Sequence, residues 1–198
     1  MPGSETCARN LLVLGGARSG KSCYAQRIAE SSGLRPVLIA TAKASDPEME
    51  ERIRLHSAVR GAQWTVIEES SALVGALWRE ACEDRIIVVD CLTLWLSKIL
   101  VDNGDAASAT RQLGQSVAGL PGPVIFISNE VGSGIVPEND LARAFRDAQG
   151  FLNQALAEAC DAAVLLVSGM ALRLKPSAEP DFCFQSAGAA PSLQCREP

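Results

Sequence analysis

Residues 11–30 read LLVLGGARSGKSCYAQRIAE, and three local patterns follow one another within them. Residues 11–14 are an apolar run of strand length. Gly15, Gly16, Ala17, Arg18, Ser19, Gly20, Lys21 and Ser22 fit the spacing G-x-x-x-x-G-K-[ST]. From Lys21 to about Ser31 the pattern turns helical. The glycines let backbone N–H groups turn inward around phosphate oxygens. The Lys21 ammonium then reaches the β- and γ-phosphates, and the Ser22 hydroxyl can coordinate Mg²⁺. The following helix presents its positive N-terminus to the same anion. The strand before and the helix after are the context that separates a phosphate cradle from a plain glycine turn.

Working outward, β-rich runs alternate with helical patterns. Strands are expected at residues 37–40, 64–67, 85–89, 124–128 and 163–168, with a short one at 172–174. Helices are expected at 46–60, 71–81, 92–100, 106–120 and 138–159. In the 46–60 segment Asp46 can cap, Pro47 suits the first turn, and acidic residues follow at 48–51. The unbroken IIVV within 85–89 marks a strand buried on both faces. This order predicts an α/β fold of P-loop NTPase type, with a RecA-like, mostly parallel sheet and helices on both faces. The expected organisation is an extension at residues 1–10, one catalytic domain at 11–175, and a flexible proline-rich tail at 176–198.

Composition narrows the function. With 198 residues the chain can bury a full core without disulfides or a metal. The net charge of -5 argues against nucleic acid, whose phosphates require a basic stripe. Seven cysteines stand at 7, 23, 82, 91, 160, 183 and 195, none in C-x-x-C spacing, and there is one histidine. A Cys/His metal site is therefore not expected, and the thiols read as reduced and mostly buried. No apolar run approaches a membrane span, and MPGSETCARN lacks the apolar core of a signal peptide. The expectation is a cytoplasmic protein.

Ligands of open α/β sheets collect at the carboxyl ends of the strands. That rule singles out Thr41, Asp90, Ser128, Asn129, Glu130, Ser168 and Gly169. Asp90 ends the RIIVVD strand, where a P-loop protein places its metal-side carboxylate; the alternative is a cap for the helix that follows. His56 shares a helical face with Met49, Ile53 and Arg60, with Arg52 one turn earlier. Apolar neighbours and two arginines lower the proton affinity of an imidazole. A neutral His56 suits a nucleophile, and the arginines suit a triphosphate. A half-buried helix histidine without chemistry fits the same pattern. Likewise Glu138 and Asn139 suit a helix cap as well as a substrate contact, and Trp95 suits core or a subunit interface.

Four blocks in order extend this reading: GGARSGKS; IATAKASDPEMEERIRLHSAVR with QWTVIEE; VVDCLTLWLS; and SNEVGSGIVPENDLARAFRDAQGFLNQALA. Over residues 11–175 the chain resembles the bifunctional adenosylcobinamide kinase / adenosylcobinamide-phosphate guanylyltransferase family. The resemblance implies two reactions at one nucleotide site. The terminal phosphate of ATP or GTP passes to the aminopropanol hydroxyl of adenosylcobinamide. GMP from GTP then passes to that phosphate through a GMP–histidine intermediate, releasing pyrophosphate and giving adenosylcobinamide-GDP. The family histidine falls on His56. The nucleotide contacts fall on Gly15 to Ser22, on Ala40, Thr41 and Ala42, on Ser57, Ala58, Val59 and Arg60, and on Glu68 and Asp90. Some members carry Glu at the Asp90 position. Mg²⁺ would be held by Ser22 and Asp90 through the nucleotide, and Glu130 is a candidate substrate or support residue. The resemblance also implies a homotrimer with sites between subunits. Two other readings remain: a P-loop kinase of a single activity, or a P-loop nucleotide-binding module.

Overall fold

The computed structural model describes residues 8–42 and 61–176. The expected helix at 46–60, with His56 and Ser57, Ala58, Val59 and Arg60, lies outside the described residues.

The chain opens with β1 (Asn10–Gly15), α1 (Lys21–Ser31) and β2 (Arg35–Ala40), and continues with β3 (Thr65–Glu68) and α2 (Leu73–Glu80). Then come β4 (Arg85–Asp90), α3 (Leu92–Val101), α4 (Ala106–Val117) and β5 (Val124–Ile127). It closes with α5 (Asp140–Ala159), β6 (Ala162–Val167) and β7 (Met170–Lys175). The strands form one sheet in the order β3-β2-β4-β5-β1-β6-β7. Every neighbouring pair is parallel except β6 and β7, which form an antiparallel hairpin.

Strand alternation sends successive side chains to opposite faces, and both faces are apolar. Leu12, Val37, Ile39, Ile87, Val89 and Phe126 face a layer made by α2, α3, α4 and α5, where Leu77, Leu96, Leu113, Leu152 and Leu156 meet them. Trp95 is 2% exposed and packs in this layer, so it is core. Val13, Leu38, Val88, Ile125 and Ile127 face the other way, against Ala25 and Ala29 of α1. Each large side chain fully buried here contributes about 1.5–3 kcal/mol.

Several boundaries differ from the sequence expectation for local reasons. The helix expected from 71 starts at Leu73 because the Glu69 carboxylate accepts from the Ser71 and Ala72 N–H groups, both at 2.9 Å, and holds them as a turn. The helix expected from 138 starts at Asp140 because Asn139 is its cap: the side-chain oxygen accepts from Ala142 N–H at 3.0 Å. The strand expected at 172–174 spans Met170–Lys175, since the Ser168-Gly169 turn, with φ of 53° and 82°, pairs it back onto β6. The thiols depart from the expectation too. Of the four described cysteines only Cys160 is buried, and Cys23 is exposed on the outer face of α1.

Candidate nucleotide site

Parallel pairing in register brings the ends of β1 to β5 to one edge of the sheet. Ala40 stands beside Glu68 on one side and Asp90 on the other, and Asp90 stands beside Ile127. Thus Gly15, Ala40, Glu68, Asp90 and the residues just after Ile127, expected from sequence to act together, share that edge. Sequence separations of tens of residues become neighbouring loops.

The glycine-rich loop joins β1 to α1 there. Gly15 ends β1 with φ 152°, and a Cβ on it would lie 2.6 Å from the Leu166 carbonyl and from Ser19 Oγ. Only glycine fits so close an approach. Gly20 caps α1 at φ 97°, a left-handed conformation, with no side-chain bond to the helix N-terminus. The first N–H groups of α1 are therefore not capped by that residue and point into the loop. Arg18 also has positive φ, at 56°, which curls the loop inward. The Ser19 hydroxyl is buried without a hydrogen-bond partner among the described residues. A buried polar atom of this kind, beside uncapped helix N–H groups, fits a ligand rich in oxygen.

Lys21 is 7% exposed, and its ammonium folds back to donate to the Gly16 carbonyl at 2.6 Å. The charge is thus held over the loop. Ser22 follows it in the first turn of α1. Ser22 and Asp90 supply a hydroxyl and a carboxylate at this edge, hard oxygen donors that suit Mg²⁺ shared with phosphates. No cluster of three or more His, Cys, Asp or Glu side chains able to hold a metal occurs among the described residues.

The neighbouring loops are tied together. Thr41 N–H donates to the Asp90 carbonyl at 3.1 Å. The Thr41 hydroxyl donates to the Cys91 carbonyl at 2.6 Å and accepts from Cys91 N–H at 2.9 Å. Thr41 is 2% exposed, so its hydroxyl fixes the turn after Asp90. Burial, followed by the adjacent Asp90 charge, raises the Cys91 thiol pKa. Cys91 therefore stays protonated and is a poor nucleophile. Glu130 N–H donates to the Gly15 carbonyl at 3.1 Å, and the Glu130 carboxylate accepts from Gly132 N–H at 2.7 Å. Gly169 N–H donates to the Ser19 carbonyl at 3.0 Å. Sequence reading had singled out Thr41, Glu130 and Gly169 by their place after strands. It missed Thr93, whose hydroxyl accepts from Asn129 N–H at 2.9 Å. Only the fold brings those two together.

A mostly parallel sheet with this loop between β1 and α1 defines an α/β protein of the P-loop NTPase class. Within that class, the chain belongs to the cobinamide kinase / cobinamide phosphate guanyltransferase family, which matches residues 11–174. It is 46% identical over 166 residues to the bifunctional adenosylcobalamin biosynthesis protein CobP of Pseudomonas aeruginosa, covering 83% of this chain and 96% of that one. To the bifunctional adenosylcobalamin biosynthesis protein CobU of Salmonella typhimurium it is 36% identical over 180 residues, covering 83% and 99%. Among solved structures it is similar to a protein of Pyrococcus horikoshii OT3, at 13% identity and TM-score 0.49, covering 83% of this chain and 85% of that one.

Proposed function

We propose that this chain performs two transfers on one corrinoid acceptor: phosphorylation of adenosylcobinamide, then guanylylation of adenosylcobinamide-phosphate. The observation that carries the reading is the phosphate loop with Lys21 held over it, on a chain of this family.

In the first step the aminopropanol hydroxyl oxygen attacks the γ-phosphorus of ATP or GTP. A new O–P bond forms, the bond to the β,γ-bridging oxygen breaks, and the nucleoside diphosphate leaves with that electron pair. The hydroxyl proton is released. Phosphoryl transfer of this kind needs mainly positioning and stabilised charge. Lys21, the loop N–H groups from Gly15 to Gly20 and the α1 N-terminus supply both. Ser22 and Asp90 would hold a nucleotide-associated Mg²⁺, which would supply neutralisation of phosphate charge.

In the second step a neutral His56 ring nitrogen attacks the α-phosphorus of GTP, and pyrophosphate leaves. A phosphate oxygen of the acceptor then attacks the same phosphorus and breaks the P–N bond, giving adenosylcobinamide-GDP. A covalent histidine divides one hard displacement into two easier ones. Ala40, Ala42, Ser57, Ala58, Val59, Arg60, Glu68 and Asp90 are the proposed contacts for the rest of the nucleotide, with Glu130 in support. Thr41 acts here through the Asp90–Cys91 turn.

The proposal includes a homotrimer with sites between subunits and a cytoplasmic location. Among the described residues no helix is long and apolar enough to cross a membrane. Sedimentation in solution tests the trimer, and a monomer would contradict it.

Separate assays of the two steps test the function. Lys21→Ala should lower phosphorylation about a hundredfold or more, the scale of losing one charge-stabilising group. His56→Ala should keep phosphorylation and abolish guanylylation. Guanylylation at the wild-type rate in His56→Ala, or full phosphorylation in Lys21→Ala, would sink the corresponding step. Stimulation of nucleotide hydrolysis by DNA or RNA would favour the P-loop nucleotide-binding module instead, acting on nucleic acid.

A further inference from the structure

A polar cluster sits in the apolar layer behind the site. Ser128 and Gln149 are 0% exposed and Asn153 is 6% exposed. The Ser128 hydroxyl donates to Asn153 Oδ1 at 2.6 Å and accepts from Gln149 Nε2 at 2.8 Å. Gln149 Nε2 also donates to Asn153 Oδ1, at 3.0 Å, closing a triangle. Gln149 Oε1 is buried without a partner among the described residues. Such a cluster is a poor stabiliser, because buried polar groups lose water and one atom here regains nothing for it. Apolar side chains would fill the same space at lower cost.

Among the described residues one side-chain bond leads out of the cluster. Asn153 Nδ2 donates to the Asn129 carbonyl at 3.0 Å. From Asn129 two bonds diverge along the carboxyl edge. Its own N–H donates to Thr93 Oγ1 in the first turn of α3, three residues after Asp90. The next residue, Glu130, donates its N–H to the Gly15 carbonyl in the phosphate loop. Asn129 is thus the point where the Asp90 turn and the phosphate loop are referenced to each other, and α5 holds that point through Asn153.

We infer that Asn153, braced by Ser128 and Gln149, is a positioning residue for phosphoryl transfer: it sets the register between the Asp90 turn and the Gly15–Ser22 loop. A phosphate spanning the two needs that register. Nucleotide affinity depends mostly on the loop itself, which the cluster does not touch. Loss of the Asn153 bond therefore falls on kcat more than on KM.

The inference rests on the phosphoryl-transfer reading, so its test carries one readout independent of activity. Asn153→Asp keeps the volume, removes the Nδ2 donor and sets a carboxylate against the Asn129 carbonyl. Ser128→Ala removes the hydroxyl brace and keeps the Asn153–Asn129 bond. Leu156→Ala, one turn further along α5 and fully buried, is the control that loosens the helix and removes no hydrogen bond of the cluster. All are assayed for phosphorylation of adenosylcobinamide at a temperature where circular dichroism shows them folded. Asn153→Asp should lower kcat by about tenfold to a hundredfold, the scale of a small misplacement of reacting groups. Its nucleotide KM should stay within about twofold, as expected when ground-state binding is retained. Ser128→Ala should lower kcat by about threefold. Leu156→Ala should retain wild-type kcat. Hydrogen exchange at the Glu130 amide should be faster in Asn153→Asp than in wild type. An unchanged kcat in folded Asn153→Asp, or an equal kcat loss in Leu156→Ala, overturns the inference. If Asn153→Asp does not fold, Ser128→Ala carries the test, and wild-type kcat there overturns it. A wild-type protein without phosphorylation would defeat the functional reading instead. Unchanged Glu130 exchange in Asn153→Asp would defeat the positioning itself.

Discussion

At the scale of single residues, the phosphate loop is specified by sterics as much as by charge. Gly15→Ala would place a methyl 2.6 Å from the Leu166 carbonyl at φ 152°. The loop would have to move away from β6, so nucleotide binding should be lost while the chain still folds. Calorimetric titration with GTP checks this, and wild-type affinity would contradict it. Lys21 differs from a surface lysine in being buried against Gly16, which keeps its ammonium in place before any phosphate arrives. Such preorganisation is what makes a charge effective in a transition state.

The cysteines give a second test at this scale. Burial pushes the Cys160 thiol up to about 12, with Lys175 opposing and Asp161 adding to the shift. A raised thiol pKa means the folded state prefers the proton. The stabilisation is complete below the ordinary value of 9.0 and is lost as pH rises through about 12. At about pH 8.5 iodoacetamide should label Cys23 quickly, because it is exposed, and spare buried Cys160 until the protein unfolds. Peptide-resolved mass spectrometry reads both, and equal labelling rates would contradict the burial described.

Elements show how far sequence reading reaches. The loop at 15–22 was legible because its eight residues carry their whole meaning locally: glycines for backbone geometry, Lys and Ser for chemistry. The cap of α5 is local in the same way, and Asn139 could be read as a cap before its bond was known. Asn139→Ala should cost about 1 kcal/mol of stability. By contrast, the cluster of Ser128, Gln149 and Asn153 joins residues 21 and 25 apart, between the loop after β5 and the middle of α5. No periodicity announces that. The hairpin is a similar case. Lys175, at the end of β7, donates to the carbonyls of Ala157, Glu158 and Cys160 at 2.9, 2.9 and 2.6 Å. It closes the C-terminus of α5, where a cation also meets the negative end of the helix dipole. Lys175→Met should lower the chemical-denaturation stability by about 1–2 kcal/mol, the range for a cation at a partly buried helix end. No change would mean those bonds are replaced by water without loss.

For the whole molecule, alternation of strands and helices foretold a mostly parallel sheet but not its order. The sequence does not say that β4 lies between β2 and β5, because that order is set by packing both faces of each strand. It is this order that places Asp90 next to Ala40 and Ile127, in the middle of the edge where the loop from β1 arrives. Among the described residues, the division into four helices on one face and α1 on the other also emerges only from assembly. Phe126, fully buried on β5 in the core beneath the four helices, should destabilise the fold by about 3–5 kcal/mol when changed to Ala. The site depends on the whole sheet in this sense: its residues come from five strand ends, and their spacing is the spacing of the strands.

The central claim is that one nucleotide site serves both a phosphoryl and a guanylyl transfer, the second through His56. The most direct measurement is the intact mass of the protein after incubation with GTP and Mg²⁺, and again after mild acid. The account predicts a gain of one GMP that acid removes, as a phosphoramidate requires, mapping to His56 and absent in His56→Ala. No gain in a protein shown separately to bind GTP would contradict the covalent step and leave a kinase alone.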